Sequence, residues 1–139
     1  DDYRVIPNFA SQLLDGKPLY VYGSGIQTRT FCYITDALQG FLKVITSGVS
    51  GEPYNIGNPA GEISMLSLAQ AFVDIGSAQG IKSKIIRRDY PDSYPADEPM
   101  RRCPDITKAR RQLDFEPKVS LEDGLLRFLE WAKVEYNNK

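Results

Sequence analysis

Sixteen consecutive residues, Val21-Tyr-Gly-Ser-Gly-Ile-Gln-Thr-Arg-Thr-Phe-Cys-Tyr-Ile-Thr-Asp36, set the tightest limits on how this chain folds. A short apolar strand at 19–22 runs into a turn that the two glycines Gly23 and Gly25 allow and larger side chains would block. The Thr/Phe/Tyr/Ile-rich segment from Thr28 to Ile34 reads as a second strand, which would hold the Arg29 guanidinium in place. Asp36 closes the run as a helix N-cap, and with Gln39 three residues on it makes an Asp-x-x-Gln capping box. Such a run suits a phosphate pocket, and it suits equally a glycine hairpin with a solvated arginine. It does not suit a dinucleotide fingerprint, because position 28 is Thr and a strand follows where the fingerprint needs a helix.

The rest of the chain narrows the chemistry. With 139 residues, 42% of them apolar and 25% charged, one soluble domain with its own core is the expectation. A net charge of −1 argues against general nucleic-acid binding, so any bound anion is met by local arginines. There is no histidine, which removes His-based metal ligation and every Ser-His or Cys-His nucleophile. Cys32 and Cys103 have no metal or redox spacing and read as reduced structural thiols. No signal peptide or long apolar run is present, so no membrane partner is expected and a cytoplasmic protein is the simplest reading. The chain starts at Asp1 with a helical pattern close behind, which we read as a piece of a longer chain.

Periodicity gives an alternating order of elements. Val5, Ile6, Phe9, Leu13 and Leu14 mark an amphipathic helix stopped by Gly16 and Pro18. A second helix runs from Asp36 to Gly48 on Ala37, Leu38, Phe41, Leu42 and Ile45. Pro53 to Gly57 reads as a buried strand, 58–61 as a loop, and Ser64 as the cap of a third helix ending near Gly76. A strand at 84–87 precedes a long irregular segment from Tyr90 to Pro104. Asp105 caps a short helix to about Leu113, and Ser120 opens a C-terminal amphipathic helix. Strands alternating with helices predict an α/β fold.

Arginine's planar fork suits bidentate phosphate contact, and two forks from different segments can clamp a diphosphate. Arg29, Arg102 and Arg101 are the candidates, each also compatible with a solvated charge; Arg87, Arg88, Arg110 and Arg111 read as surface. Tyr22 offers a ring for a base, or simply packs. Glu52, Glu62, Asp97 and Glu98 fall in predicted loops and form no pair on one helix face, so no general acid/base stands out.

The order Val5-Ile-Pro-Asn-Phe9, Gly16-Lys-Pro-Leu19, Val21-Tyr-Gly-Ser-Gly-x-Gln-Thr-Arg-x-Phe-x-Tyr33, Asp36, Tyr54-Asn-Ile-Gly-Asn-Pro59, Asp97-Glu-Pro-x-x-Arg102 and Pro104-Asp-Ile106 resembles the C-terminal part of extended short-chain dehydrogenase/reductase enzymes acting on nucleotide sugars. Within that superfamily it looks most like the UDP-glucuronate decarboxylases (UDP-xylose synthases). The dTDP-glucose 4,6-dehydratases and sugar 4-epimerases are close relatives. The resemblance implies the C-terminal substrate-binding part of an extended Rossmann-type fold over 1–139, with NAD and the Tyr-x-x-x-Lys set supplied by an N-terminal half. No Tyr in this chain has Lys four residues on, so the chain alone is expected to be inactive. Carried over by position, Arg29 and Arg102 would contact the substrate diphosphate, with Arg101 a substitute one place off the motif. Tyr22 would line the base pocket and Asn58 would lie near the nucleotide. The resemblance also implies a UDP-sugar or related nucleotide-sugar as partner, a homodimer of the complete enzyme, and apolar surface on this chain that the other half covers.

Overall fold

In the computed structural model, residues 4–92 and 98–137 are described; Asp97 of the quoted motif lies outside them. Among the described residues five helices and five short strands are interspersed along the chain, the α/β class that the sequence predicts. Contacts group them into two units, one from the segments up to Gln27, Ser64 to Met100 and Leu125 onward, the other from Thr28–Ile63 and Arg101–Gly124.

The first unit is built on helix α1 (Val5–Leu14), strand β1 (Leu19–Tyr22), helix α3 (Met65–Ala78) and strand β4 (Ile85–Arg88). Phe9 and Phe72 meet edge to face with centroids 5.8 Å apart, and both are buried with Leu13, Leu19, Val21 and Leu68. The helices close tightly because position 76 has no side chain: a Cβ there would come within 2.6 Å of Leu13 Cδ1. Strands β1 and β4 pair in parallel from Leu19↔Ile85 to Tyr22↔Arg88. Ser64 caps α3 as expected, its Oγ accepting from the Ser67 N–H at 3.0 Å. Leu125, Leu129 and Ala132 of helix α5 (Leu121–Asn137) are buried too.

The second unit centres on helix α4 (Thr107–Leu113), whose Ala109 and Leu113 cluster with Ile106 just before it, Phe115 just after it, and Val44, Tyr54 and Ile56 packed against them. Helix α2 (Ile34–Ser47) joins this core through Gly40, where a Cβ would stand 2.3 Å from Ile56 Cγ2 and 3.0 Å from Phe115 Cε2. Strands β3 (Ile63–Ser64), β2 (Thr28–Arg29) and β5 (Arg101–Arg102) form a sheet in the order β3-β2-β5. The β2–β5 pair is parallel, with Thr28 opposite Arg101 and Arg29 opposite Arg102.

Several local expectations are corrected. Asp36 is not an N-cap: α2 begins at Ile34 after Tyr33, so the Asp-x-x-Gln box does not form. Its carboxylate is 3% exposed and accepts the backbone N–H groups of Lys118 and Val119 at 2.9 and 2.8 Å. The segment after the glycine turn is a strand for two residues only; residues 30–33, expected to continue it, enter no ladder, and helix α2 begins at Ile34. Pro53 to Gly57 enters no ladder. Side chains fix it instead, with Asn55 Nδ2 donating to the Asp105 carbonyl at 3.0 Å and the Tyr54 hydroxyl donating to Gln112 Oε1 at 2.8 Å. The irregular segment after Tyr90 contains β5. Asp105 stands one residue ahead of the α4 cap and accepts the Thr107 N–H at 2.8 Å.

Candidate functional site

The β2–β5 register places the two arginines singled out by sequence side by side, Arg29 opposite Arg102 on neighbouring parallel strands. Side chains alternate along a strand, so Thr28 and Arg101 share one face of the pair while Arg29 and Arg102 share the other. Arg29 Nη1 also donates to the Thr28 carbonyl at 2.7 Å, which holds the guanidinium close to its own strand.

On the opposite face a carboxylate joins the two strands. Glu62 accepts both Nε and Nη2 of Arg101 at 2.8 Å and the Thr28 hydroxyl at 2.5 Å. The fork from Arg101, then the hydroxyl of Thr28, hold the Glu62 carboxyl below its ordinary range. The same contact raises Arg101. Arg101 is therefore engaged by Glu62. Sequence reasoning left Glu62 in a loop without a role. Its partner stands 39 residues away, and no local pattern carries a pairing of that kind.

Tyr22 belongs to the first unit. Its ring stacks on Tyr90 with centroids 6.0 Å apart and planes 26° from parallel. The Tyr90 hydroxyl accepts Gln27 Nε2 at 3.0 Å, and Gln27 is 8% exposed. Gly23 and Gly25 hold φ of +62° and +71°, the left-handed region that the turn requires. A Cβ on Gly23 would meet Tyr90 Cε2 at 2.6 Å and one on Gly25 would meet Val21 Cγ1 at 2.6 Å. The glycines thus admit the protein's own side chains, and strand β2 follows them, so the turn is no cradle for a dinucleotide. Arg88 lies over the Tyr20 ring at 3.4 Å, in keeping with the surface reading of that residue.

Asn58 is 6% exposed and its amide serves the loop: Oδ1 accepts the Ala60 N–H at 2.9 Å and Nδ2 donates to the Val119 carbonyl at 3.3 Å. Burial, then the charge of Asp36, push the Cys32 thiol up, which disfavours a reactive thiolate. Cys32 and Cys103 are both free. Among the described residues no cluster of metal-ligating side chains occurs, and no helix is long and apolar enough to cross a membrane.

Comparison with known proteins gives consistent results. Residues 1–57 match the model of the NAD dependent epimerase/dehydratase family. UDP-glucuronic acid decarboxylase 1 of Arabidopsis thaliana is 42% identical over 129 residues, which is 93% of this chain and 28% of the relative. UDP-glucuronic acid decarboxylase 1 of Danio rerio is 39% identical over the whole chain, which is 31% of its own length. Among solved structures, UDP-glucuronic acid 4-epimerase of Bacillus cereus, in complex with UDP-glucuronic acid and NAD, aligns with a TM-score of 0.81 at 31% identity. That match covers 96% of this chain and 41% of the other. The dTDP-glucose 4,6-dehydratase of Bacillus anthracis, in complex with NAD, aligns at 0.80 with 26% identity, covering 96% and 40%. The chain thus spans well under half the length of the proteins it matches.

Proposed function

The chain is kin to the NAD dependent epimerase/dehydratase family, and from that premise we propose that it is the nucleotide-sugar-binding part of an NAD-dependent enzyme of the UDP-glucuronate decarboxylase type. The single observation that supports this reading is the β2–β5 register, which puts Arg29 and Arg102 on one face, an arrangement in which two forks would suit a diphosphate. Asn58 would shape the loop near the nucleotide. Arg101 is held by Glu62 in a bidentate contact and stays one place off the motif.

The glycine turn at 23–25 is filled by the protein's own side chains and leaves no cradle for a dinucleotide pyrophosphate, so in this reading the cofactor and the proton-transferring groups belong to an N-terminal half outside this chain. The part described here holds the substrate in place, a positioning role, and is inactive alone. Support for such a division comes from α2, whose Ile34, Leu38, Phe41, Leu42 and Ile45 are 51–79% exposed along one side. A stripe of that kind suits coverage by the rest of a longer protein. The complete enzyme would be a cytoplasmic homodimer, a location to which the free thiols are suited.

Calorimetry with UDP on the full-length protein tests the clamp. Arg29→Ala and Arg102→Ala should each weaken binding by about 10- to 100-fold, the worth of a charge-assisted hydrogen bond. Unchanged affinity in both variants would overturn the reading. A sugar 4-epimerase is the second reading, favoured by the likeness to the Bacillus cereus enzyme. Release of CO2 from UDP-glucuronic acid separates the two, since an epimerase retains the carboxylate carbon.

A further inference from the structure

We infer that Glu62 is a positioning residue for the diphosphate clamp, holding β2 and β5 in the register that brings Arg29 and Arg102 together and keeping Arg101 out of the phosphate site. The inference rests on the clamp proposed above and adds a residue to it.

Strands β2 and β5 are two residues each, so their ladder alone supplies few hydrogen bonds to fix the pairing. A slip by one residue would move every side chain to the other face and set Arg101, in place of Arg102, beside Arg29. Glu62 opposes that slip because it grips one residue from each strand, and the two it grips, Thr28 and Arg101, are register partners. The Thr28 hydroxyl donates to Oε1, the same oxygen that accepts Arg101 Nε, while Oε2 takes Arg101 Nη2. Both strands are thereby tied to one carboxylate from the side opposite the clamp.

The charge has its own consequence. Two adjacent arginines in one short strand present two forks to an incoming phosphate, and an unmatched pair would bind it in more than one pose. Glu62 matches Arg101 with a bidentate contact, so that fork is not offered to a phosphate. This accounts for a glutamate standing behind a site proposed for an anion: it neutralises the cation on the opposite face.

The test is calorimetric titration of the full-length protein with UDP and with uridine, for the parent, for Glu62→Gln, Glu62→Ala, Arg101→Ala, Arg29→Ala and Arg102→Ala, and for Glu62→Ala combined with Arg101→Ala. Both Glu62 variants should weaken UDP by about tenfold, as misplacement of a binding group does, and leave uridine affinity within twofold of the parent (~, by the same reasoning). A loss confined to the phosphate-bearing ligand is something general loosening of the fold would not produce. The loss on Glu62→Ala should also be non-additive with Arg101→Ala, since the two act as one contact. Tighter UDP binding in Glu62→Ala, from a released Arg101, overturns the inference. So does an unchanged UDP affinity in both Glu62 variants while Arg102→Ala is weakened. If Arg29→Ala and Arg102→Ala also leave UDP affinity unchanged, the clamp itself is the reading that fails.

Discussion

Asp36 shows how far a single residue can depart from its local grammar. An aspartate at a helix start reads as a cap, but this one lies within the first turn, and its carboxylate reaches across 82 and 83 residues of sequence to the N–H groups of Lys118 and Val119. It therefore closes the chain after Phe115 onto α2, a tertiary task that no local spacing reveals. Removing the side chain would leave two donors without their acceptor in a site that is 3% exposed. Asp36→Ala should cost about 2–3 kcal/mol, the range for hydrogen bonds to a charged group whose partners are left unsatisfied. Urea unfolding followed by tryptophan fluorescence checks this, and a loss below the error of the fit would show that water replaces the carboxylate. Ser64 and Ser120 behave as their sequence context says, with Oγ accepting from Ser67 at 3.0 Å and from Asp123 at 3.1 Å. Their bonds span three residues, and bonds of that reach are what a sequence pattern can carry.

At the scale of elements the same divide holds. Helices α1, α2, α3 and α5 were legible because ten to seventeen residues sustain a 3.6-residue period. Strands β2, β3 and β5 were not, since two residues carry no period. The candidate site sits on those short strands: its arginines could be named from sequence, while their register and the Glu62 tie could not. Helix α2 is the informative element, for its two sides make opposite demands. Toward α4, Gly40 meets Ile56 and Phe115 with no room for a methyl group. Gly40→Ala should destabilise the chain by about 1–3 kcal/mol through overpacking, despite alanine's better helix propensity. On the other side Phe41 and Ile45 are 53% and 79% exposed. Ile45→Glu should leave the unfolding free energy of this chain within about 0.5 kcal/mol of the parent and reduce its self-association in sedimentation experiments. In the full-length protein the same change should lower the melting temperature, and equal melting temperatures there would argue against α2 as a covered face.

The charge pattern of the whole chain fixes how its stability responds to pH. Glu52 is held below its ordinary value by Lys108, Glu116 by Arg110, Glu62 by Arg101 and Thr28, and Asp105 by the Thr107 hydroxyl and N–H. For a carboxylate with a lowered folded pKa, the stabilisation is complete above the unfolded value, 4.5 for Glu and 3.8 for Asp, and is lost as pH falls through the lowered folded value. Lys17, Arg101 and Arg110 are raised by their carboxylate partners, so the Lys17 share is complete below 10.5 and the arginine share persists well above neutrality, each lost only as pH rises through still higher values. Between these limits a protein ordinarily has histidines to titrate, and this chain has none. The Cys32 thiol is raised from 9.0 and adds nothing near neutrality. The melting temperature of the 139-residue chain should therefore be level from about pH 5.5 to 7, where the ordinary carboxylates are fully charged, and decline only below about pH 4.5. The decline should be shallow for each pair, because all these carboxylates are solvent-facing and exposed ion pairs contribute little. It should become shallower still in 1 M salt, where the Debye length is about 3 Å. Calorimetric scans at half-unit steps read the profile directly. A steady slope across pH 6 to 7 would contradict it, since it would require a group with a strongly displaced pKa inside that window.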